Sequence, residues 1–439
     1  MRRFTALTLY RLLLPLLFIA AFPGWLVKML RRGGLATQLG ERVSIYTTPL
    51  EEEPCGCVHF HAVSVGESLL ALKLIRKWLE TAPDRRFVLA TGTATGHAVA
   101  VAAALPGLRV TYAPLDFHWM IRRYLRRFEP VQIVLIEGEV WPHLLLDCQR
   151  NGIPVRLVNA RMSPRSARRF AKFAAWVRPI YSLLDSIAIQ EPEDAEIWQQ
   201  LGVAAEKIHV TGSLKFDPAG GAHPARRIEF EEMLAAFGPG RTVILAASTF
   251  PGEEILIARA IRAASPTALP VIVPRHAERR VEVKIALSQA GFEVILRSHF
   301  SLPENLADAC FVIDSTGELC DWTAHADVVV IGKSLLATGG QNPCEAILAE
   351  KPLICGPHME NFQPLTRRLI ATGGCLVASD AASLTVAIRR AMEPETSRAM
   401  TLHASELLAH HQGATEKIIA LLDSFPLHRL LKDGDVHTL

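Results

Sequence analysis

A chain of 439 residues is too long for one ordinary hydrophobic core, so its length predicts two domains with additional segments. Half of the residues are hydrophobic and 21% are charged, which is the composition of a globular protein with a slight apolar excess. The formal net charge of +3 is unremarkable, and the informative feature is where the charges lie along the chain.

The N-terminus combines basic residues with an apolar run. Residues 1–45 contain one acid, Glu41, and seven basic residues: Arg2, Arg3, Arg11, Lys28, Arg31, Arg32 and Arg42. The uncharged run 12–27 is shorter than the ~20 residues that span a bilayer, although snorkelling of its basic flanks extends it. A signal peptide is the alternative, but basic residues follow the run where a cleavage site would need small ones. We therefore predict an uncleaved membrane anchor that either spans the bilayer or lies in its interface.

Short apolar strands then alternate with helices, which predicts doubly wound parallel sheets. The predicted strands are 58–62, 87–91, 110–113, 131–136, 155–159 and 186–190, then 243–247, 271–273, 292–296, 311–313, 328–331 and 353–355. The predicted helices are 67–80, 96–104, 117–128, 141–151, 164–184 and 193–201, then 252–264, 277–290, 317–324, 343–350, 362–371, 381–391 and 414–422. The Gly- and Pro-rich stretch 212–224 separates the two sets and reads as the connection between domains.

The stretch His59–Glu67 reads as a strand, a loop of small residues and the start of a helix. Such a loop lies at the carboxyl edge of a parallel sheet, where ligands bind. Glu67 at the helix start is therefore a candidate general base. The alternative is that Glu67 is only a first-turn acid, stabilised by the helix dipole.

Other polar groups follow strands of the first domain. Glu137 and Glu139, which are followed by Trp-Pro, are candidates for a catalytic or electrostatic role. One of the two could be only a helix-start acid. Arg161 ends the next strand. Lys215, in the connection between domains, could neutralise a phosphate or be an ordinary surface lysine.

The predicted strands of the second domain end in hydroxyl, guanidinium and carboxylate groups. Arg275 would contact phosphate, and carboxylates or backbone groups at the strand ends 247–249, 273–276 and 314–318 would bind the base and the ribose hydroxyls. The glycine-containing loop 332–345 runs into a helix whose N-terminal amides suit phosphate, with Glu345 in its first turn. Neither first βα turn carries Gly-x-Gly-x-x-Gly, so the usual dinucleotide site is not supported.

Two basic clusters are predicted on helix surfaces. Ser163 and Pro164 are a plausible N-cap and first helical residue, and the helix that follows places four basic residues on one face: Arg165, Arg168, Arg169 and Lys172. A second cluster consists of Arg122, Arg123, Arg126 and Arg127. A solvated charge stripe is the simple interpretation, but an anchor on the same chain favours contact with anionic lipid headgroups.

The cysteines and histidines do not predict a metal site. The eight cysteines are scattered and mostly in apolar context, which suits buried free thiols in a reducing cytosol. Cys55 and Cys57 lack a second pair of ligands at zinc spacing. His59 and His61 would share one face of a strand without an evident third ligand, so we expect core or supporting histidines.

Taken together, the motifs resemble the 3-deoxy-D-manno-octulosonic acid (Kdo) transferases of lipid A biosynthesis. The motifs occur in one order along nearly the whole chain: 61–67, 137–142, 159–161, 212–217, 247–254, 273–276, 317–319, 339–343 and 356–358. The resemblance implies an α/β, GT-B glycosyltransferase fold, in which two Rossmann-like domains face a central cleft behind an N-terminal membrane-anchor helix. The expected segments are an anchor and linker (1–50), an acceptor-binding domain (51–222) and a CMP-sugar-binding domain with the C-terminal helix (223–439).

The resemblance also implies an activity and its residues. The family transfers Kdo with inversion from CMP-Kdo to a lipid A precursor, lipid IVA, at the cytoplasmic face of the inner membrane, without cofactor or metal. Glu67 matches the proton acceptor, and Glu137 and Lys215 match the pair that stabilises the transition state. The CMP-binding segments map onto Pro274, Arg275, Thr316, Gly317, Glu318, Asn342, Pro343, Cys344 and Glu345.

The sequence departs from the family pattern at a few positions. Gly138, Phe250, Thr316 and Gln341 replace residues usual in the family, which puts donor affinity and specificity in doubt. Two rival functions stay open: another GT-B transferase with a UDP-sugar donor, and an inactive membrane-associated scaffold. The expected partners are CMP-Kdo, a lipid A precursor and the inner-membrane surface, with no nucleic acid.

Overall fold

The chain is described by a computed structural model over residues 2–31, 39–162, 164–217, 224–304 and 306–424. It divides into two compact units. Unit 1 contains residues 1–220 and 411–439, and unit 2 contains residues 221–410. The predicted N-cap residue Ser163 and part of the predicted connection, residues 218–223, lie outside the described residues.

Unit 1 is built on a seven-stranded parallel sheet with the order β3-β2-β1-β4-β5-β6-β7. Five strands are buried along their whole length, because helices cover both faces of the sheet, and most of their residues are apolar. The strands are β1 (Val58–Ala62), β2 (Phe87–Thr91), β3 (Leu108–Tyr112), β4 (Gln132–Ile136), β5 (Val155–Ala160), β6 (Ser186–Ile189) and β7 (Ile208–Val210). The short strand β7 was not predicted, since it is only 3 residues long and is only partly buried.

The helices of unit 1 follow the predicted alternation. They are α1 (Arg2–Arg31), α2 (Leu39–Arg42), α3 (Val65–Thr81), α4 (Ala94–Ala102), α5 (His118–Phe128), α6 (Pro142–Arg150), α7 (Pro164–Lys172), α8 (Ala174–Tyr181) and α9 (Asp194–Gln200). The predicted helix 164–184 is in fact two helices. Phe173 leaves the helical conformation, and its N–H donates to the carbonyl of Phe170 three residues back, so α8 starts anew.

Unit 2 has a second seven-stranded parallel sheet, with the order β10-β11-β9-β8-β12-β13-β14. Its strands are β8 (Val243–Thr249), β9 (Leu269–Pro274), β10 (Glu293–Leu296), β11 (Ala309–Val312), β12 (Val328–Ile331), β13 (Leu353–Cys355) and β14 (Leu376–Val377). Its helices are α10 (Ile228–Ala236), α11 (Glu253–Ala264), α12 (Arg280–Gln289), α13 (Leu319–Ala324), α14 (Cys344–Leu348), α15 (Leu365–Ala371), α16 (Ala381–Met392) and α17 (Pro394–Ala409). Helices α10 and α17 were not predicted. Pro394 reads as a helix stop, but it occupies the first position of α17, where its missing N–H costs no hydrogen bond.

The C-terminal helix α18 (Ala414–Asp423) belongs to unit 1, so its predicted place in the second domain is wrong. Ile418 and Leu422 are buried in one cluster with Phe60 of β1 and Trp78 of α3. The Asp423 carboxylate accepts a hydrogen bond of 3.0 Å from the indole of Trp78. The amphipathic pattern of α18 predicted a helix but carried no information about which sheet its apolar face covers.

The N-terminal helix α1 is held to unit 1 by a buried carboxylate. The Tyr10 hydroxyl donates to Asp116 Oδ2 at 2.9 Å, and Asp116 also accepts the backbone N–H groups of His143 and Leu144 at the start of α6. Helix α1 leaves a row of apolar side chains exposed: Leu9, Leu12, Leu13, Leu16, Leu17, Ile19, Phe22 and Val27. Within the described ranges, no helix is both long enough and apolar enough to cross a bilayer.

Burial makes Asp116 a source of pH-dependent stability. It raises the pKa of this carboxyl from 3.8 to about 6, against hydrogen bonds that favour the charged form. A carboxyl whose pKa is raised by folding stabilises the fold below its unfolded pKa, and this contribution is lost as the pH rises through about 6. We therefore expect the free energy of unfolding of Asp116→Asn to depend less on pH between 4 and 7 than that of the wild-type protein, measured by urea denaturation. An identical pH dependence in both proteins would contradict this assignment.

Candidate active site

The carboxyl edge of the first sheet gathers the residues predicted for catalysis. Strand β1 pairs with β4, and β4 pairs with β5, so the loops that follow these three strands are neighbours. They carry Glu67, Glu137 and Arg161. Glu137 and Asn159 both adopt positive φ, 62° and 52°, which is unusual for residues other than glycine and recurs at functional sites.

Glu67 takes part in the hydrogen bonding at the start of α3, where Ser64 is the N-cap residue. Its carboxylate accepts the N–H of Val63 at 2.7 Å and the hydroxyl of Ser64 at 2.9 Å, and its own N–H donates to the Ser64 hydroxyl at 3.2 Å. Each carboxylate oxygen thus accepts one hydrogen bond within the loop, and a carboxylate has about four acceptor positions. Glu67 therefore contributes to the helix start, and the same contacts fix its carboxylate in one orientation. The sequence Ser64-Val-Gly-Glu67 carries the Ser-x-x-Glu pattern typical of a helix start.

Glu67 lies close enough to Glu137 and to Glu139 for the charges to interact, and Lys215 lies close enough to Glu137. Burial raises the pKa of Glu137, Arg161 opposes this, the charge of Glu67 raises it further, and Lys215 lowers it. Burial and then Glu67 raise the pKa of Glu139. Glu67 thus influences both Glu137 and Glu139, while Lys215 influences Glu137, so a cluster of carboxylates at this edge includes one neighbouring lysine.

Lys215 lies in a tight turn and is exposed. Within this turn the N–H groups of Phe216 and Asp217 both donate to the carbonyl of Ser213. The side-chain carbonyl of Asn159, at the end of β5, accepts the N–H of Leu214 at 2.9 Å. These bonds bring the turn back over the carboxyl edge of the sheet, which explains why Lys215 is near Glu137 although β7 is the outermost strand.

In unit 2, Arg275 and Glu345 come together. Arg275 follows β9, and its N–H donates to the carbonyl of Thr249 at the end of β8. Burial raises the pKa of Glu345, and the charge of Arg275 opposes that rise. In the part of the chain that the structure describes, no hydrogen-bond partner reaches Glu345 Oε2. A buried acceptor beside an exposed guanidinium suits a ligand that carries both hydroxyl and phosphate groups.

Glu318 is held by a neighbouring guanidinium. Arg297 donates to its carboxylate at 2.8 Å, and the hydroxyl of Ser315 donates to the other oxygen. The preceding residues, Thr316 and Gly317, are exposed, and Gly317 adopts φ +83°. The segment thus presents exposed backbone next to a fixed carboxylate.

The loop before α14 is shaped by a buried carboxylate that sequence reasoning did not single out. Glu253 is fully buried and accepts backbone N–H groups from Phe250 and from residues 333–336 at 2.6–3.4 Å. A Cβ on Gly332 would lie 2.4 Å from the carbonyl oxygen of Ser248, so only glycine fits there. Three predicted residues, 342–344, lie at the end of this loop and the start of α14. Pro343 and Cys344 are buried, while Asn342 is exposed and accepts the Cys344 N–H through its side-chain oxygen.

The two histidines of β1 are core residues, as expected. His59 is bonded to the Tyr124 hydroxyl at 2.8 Å. Burial lowers the pKa of His59 to about 3 and that of His61 to about 4, so both are neutral at physiological pH. Among the described residues, no group of three or more His, Cys, Asp or Glu side chains could hold a metal ion.

The predicted basic clusters differ in their exposure. Arg168, Arg169 and Lys172 of α7 are exposed, next to the exposed aromatic side chains of Phe173 and Trp176. In the second cluster, Arg122, Arg123 and Arg126 are exposed. Arg127 is not part of that surface, because its guanidinium pairs with the buried carboxylate of Glu53 at 2.8 Å.

Sequence comparisons place this site in the context of known proteins. Residues 37–218 match the profile of a family described as 3-deoxy-D-manno-octulosonic-acid transferase (kdotransferase). The chain is 36% identical to a 3-deoxy-D-manno-octulosonic acid transferase of Bordetella pertussis over 378 residues, which are 84% of this chain and 87% of that protein. It is 32% identical to the protein of the same name from Haemophilus influenzae over 393 residues, 88% of this chain and 91% of that protein.

The chain is also similar in structure to the Anabaena protein HepE, which was solved in complex with UDP. The TM-score is 0.53 with 13% identity, over 84% of this chain and all of that one. At this identity the likeness concerns the fold alone. Together with the two parallel sheets, it confirms the predicted fold class, GT-B with two Rossmann-like α/β domains.

Proposed function

This chain belongs to the 3-deoxy-D-manno-octulosonic acid (Kdo) transferase family of glycosyltransferases, and from that membership we propose that it transfers Kdo from CMP-Kdo to a lipid A precursor in lipopolysaccharide synthesis. The observation that carries the proposal is the 36% identity with a named Kdo transferase over 84% of the chain. The acceptor proposed is lipid IVA, and the transfer inverts the anomeric centre.

In unit 1, Glu67 is the proposed general base. It takes the proton from the acceptor hydroxyl as that oxygen attacks the anomeric carbon. The hydrogen bonds from Val63 and Ser64 support this role because they hold the carboxylate in one orientation before the acceptor binds. Glu137 and Lys215 form the proposed pair that stabilises charge in the transition state, and the mutual influence of their charges supports that pairing.

In unit 2, the proposed ligand is the CMP portion of the donor. The exposed guanidinium of Arg275 would meet the single phosphate, and the unpartnered Glu345 Oε2 would accept a ribose hydroxyl. The other proposed contacts are Pro274, Thr316, Gly317, Glu318, Asn342, Pro343 and Cys344. Thr316 and Gly317 offer exposed backbone, and Arg297 fixes the orientation of Glu318.

We propose that the protein works at the cytoplasmic face of the inner membrane. The exposed leucines of α1 supply an apolar surface, and Arg168, Arg169 and Lys172 of α7 supply positive charge for anionic headgroups. Helix α1 contacts α8, which begins two residues after α7 ends, so both features belong to one region of unit 1. In this proposal α1 lies in the interface of the bilayer.

The activity is tested by incubating the purified full-length protein with CMP-Kdo and lipid IVA and reading the product by mass spectrometry. We expect a mass increase of one or more Kdo residues, which requires both substrates. No increase, with an active Kdo transferase as the positive control, would refute the proposed function.

The donor is tested separately by thermal unfolding in the presence of nucleotides. A ligand that binds only the folded state raises the melting temperature, so CMP should raise it more than UDP at equal concentration. Stronger protection by UDP would instead favour a UDP-sugar transferase.

A further inference from the structure

The turn that carries Lys215 is held by a lysine of α3, the helix whose first turn contains the proposed base, Glu67. Lys73 Nζ donates to the carbonyl of Leu214 at 2.8 Å and to the carbonyl of Asp217 at 2.5 Å. These carbonyls lie one residue before and two residues after Lys215. A half-buried ammonium that binds carbonyls on both sides of a turn fixes its backbone.

The same turn is held on its other sides by elements distant in sequence. Asn159 accepts the Leu214 N–H, and His411 Nδ1 accepts the Ser213 N–H at 3.2 Å. The Asp217 carboxylate accepts two N–H groups at the start of α18, from Gly413 at 3.1 Å and from Thr415 at 2.6 Å. Among these contacts, only the hydrogen bonds of Lys73 link the turn to α3, the helix that carries Glu67.

We propose that Lys73 is a positioning residue that sets the distance between Glu67 and Lys215. Glu67 and Lys73 are six residues apart on one rigid helix, about 9 Å along its axis. The hydrogen bonds from Val63 and Ser64 fix the carboxylate at the helix start, and Lys73 fixes the turn relative to the same helix. The inference rests on the proposed function, because it assigns a role to the spacing of two groups that act in Kdo transfer.

A misplacement of about 1 Å between reacting groups can cost about 100-fold in rate. Lys73→Met keeps the length of the apolar side chain but removes both hydrogen bonds. We therefore expect kcat for Kdo transfer to fall by about 10- to 100-fold, while KM for CMP-Kdo stays unchanged because the CMP contacts lie in unit 2. Lys73→Arg, which can still donate to two carbonyls, should restore most of kcat.

The matched control is Lys77→Met. Lys77 lies one turn further along α3, and its ammonium pairs with Glu80 at 2.8 Å and Glu416 of α18 at 3.6 Å. The Lys77→Met variant therefore removes a lysine from α3 and an ion pair with α18. It leaves the hydrogen bonds of the Lys215 turn intact. We expect Lys77→Met to have the kcat of the wild-type protein.

Hydrogen exchange followed by mass spectrometry reports the turn directly. In Lys73→Met we expect about tenfold faster exchange of the amides of residues 213–217, with unchanged exchange in α3. Unchanged exchange at the turn, or a kcat no lower than that of Lys77→Met, would overturn the inference. If the wild-type protein transfers no Kdo, the proposed function fails and the positioning role fails with it, whereas faster exchange at the turn would still establish the structural contact.

Discussion

Glu67→Gln should lower kcat for Kdo transfer by about 10²- to 10⁴-fold while the melting temperature and the affinity for CMP remain those of the wild-type protein. Glutamine cannot take a proton from the acceptor hydroxyl. Its side-chain oxygen can, however, still accept the N–H of Val63, and its amide N–H can donate to the Ser64 hydroxyl. The variant therefore separates the two roles of Glu67, because it removes the proposed base and keeps the helix start.

Two further variants complete this experiment. Glu80→Gln is the matched control, because Glu80 is exposed on the same helix and pairs only with Lys77 among the ion pairs of the described residues. Glu67→Ala should lose both activity and about 1 kcal/mol of stability, since it also removes the hydrogen bonds that the carboxylate accepts from Val63 and Ser64. A Glu67→Gln protein with wild-type kcat would show that Glu67 is a capping residue and that another group is the base.

Lys215→Met should lower kcat by about 10²- to 10³-fold, the usual effect of removing one group that stabilises charge in a transition state. Lys215 is exposed and makes no contribution to an apolar core, so we expect the melting temperature to change little. Because the charge of Lys215 lowers the pKa of Glu137, its removal should raise that pKa further. The limb of the pH–rate profile that reports the ionisation of Glu137 should then move to higher pH.

The control for Lys215→Met is Lys207→Met, which removes the lysine immediately before strand β7. The ammonium of Lys207 donates to the carbonyl of Leu184, away from the carboxylates of the site. Both proteins are compared by steady-state kinetics between pH 5 and 9. Equal kcat values in the two variants would contradict the role proposed for Lys215.

The sheet could be predicted because its strands are short and mostly apolar. Phe60, Val134 and Leu157 lie in strands that are buried along their whole length, and such runs between helices have few other interpretations. The positions of Glu67 and Glu137 followed, since a loop after a parallel strand must reach the carboxyl edge. Local sequence was therefore sufficient for the parts of the site that depend on strand order.

The remaining parts depend on contacts between residues far apart in the chain. Lys73 reads as an ordinary lysine on an amphipathic helix, and only the fold shows that two carbonyls more than 140 residues later meet its ammonium. The same is true of Glu253, which reads as a first-turn acid and in fact gathers the amides of residues 333–336. Helix α18 was assigned to the wrong unit for this reason, because an apolar helix face does not specify its partner.

The return of α18 to unit 1 has a consequence for synthesis of the protein. Ile418 and Leu422 fill the core beside Phe60 and Trp78, so that core is incomplete until residue 422 has left the ribosome. Unit 2, residues 221–410, is continuous and can fold earlier. The usual order, in which the N-terminal domain of a growing chain folds first, is therefore reversed at the final step. A chain that terminates after residue 410 would carry a complete unit 2 and an unfinished unit 1.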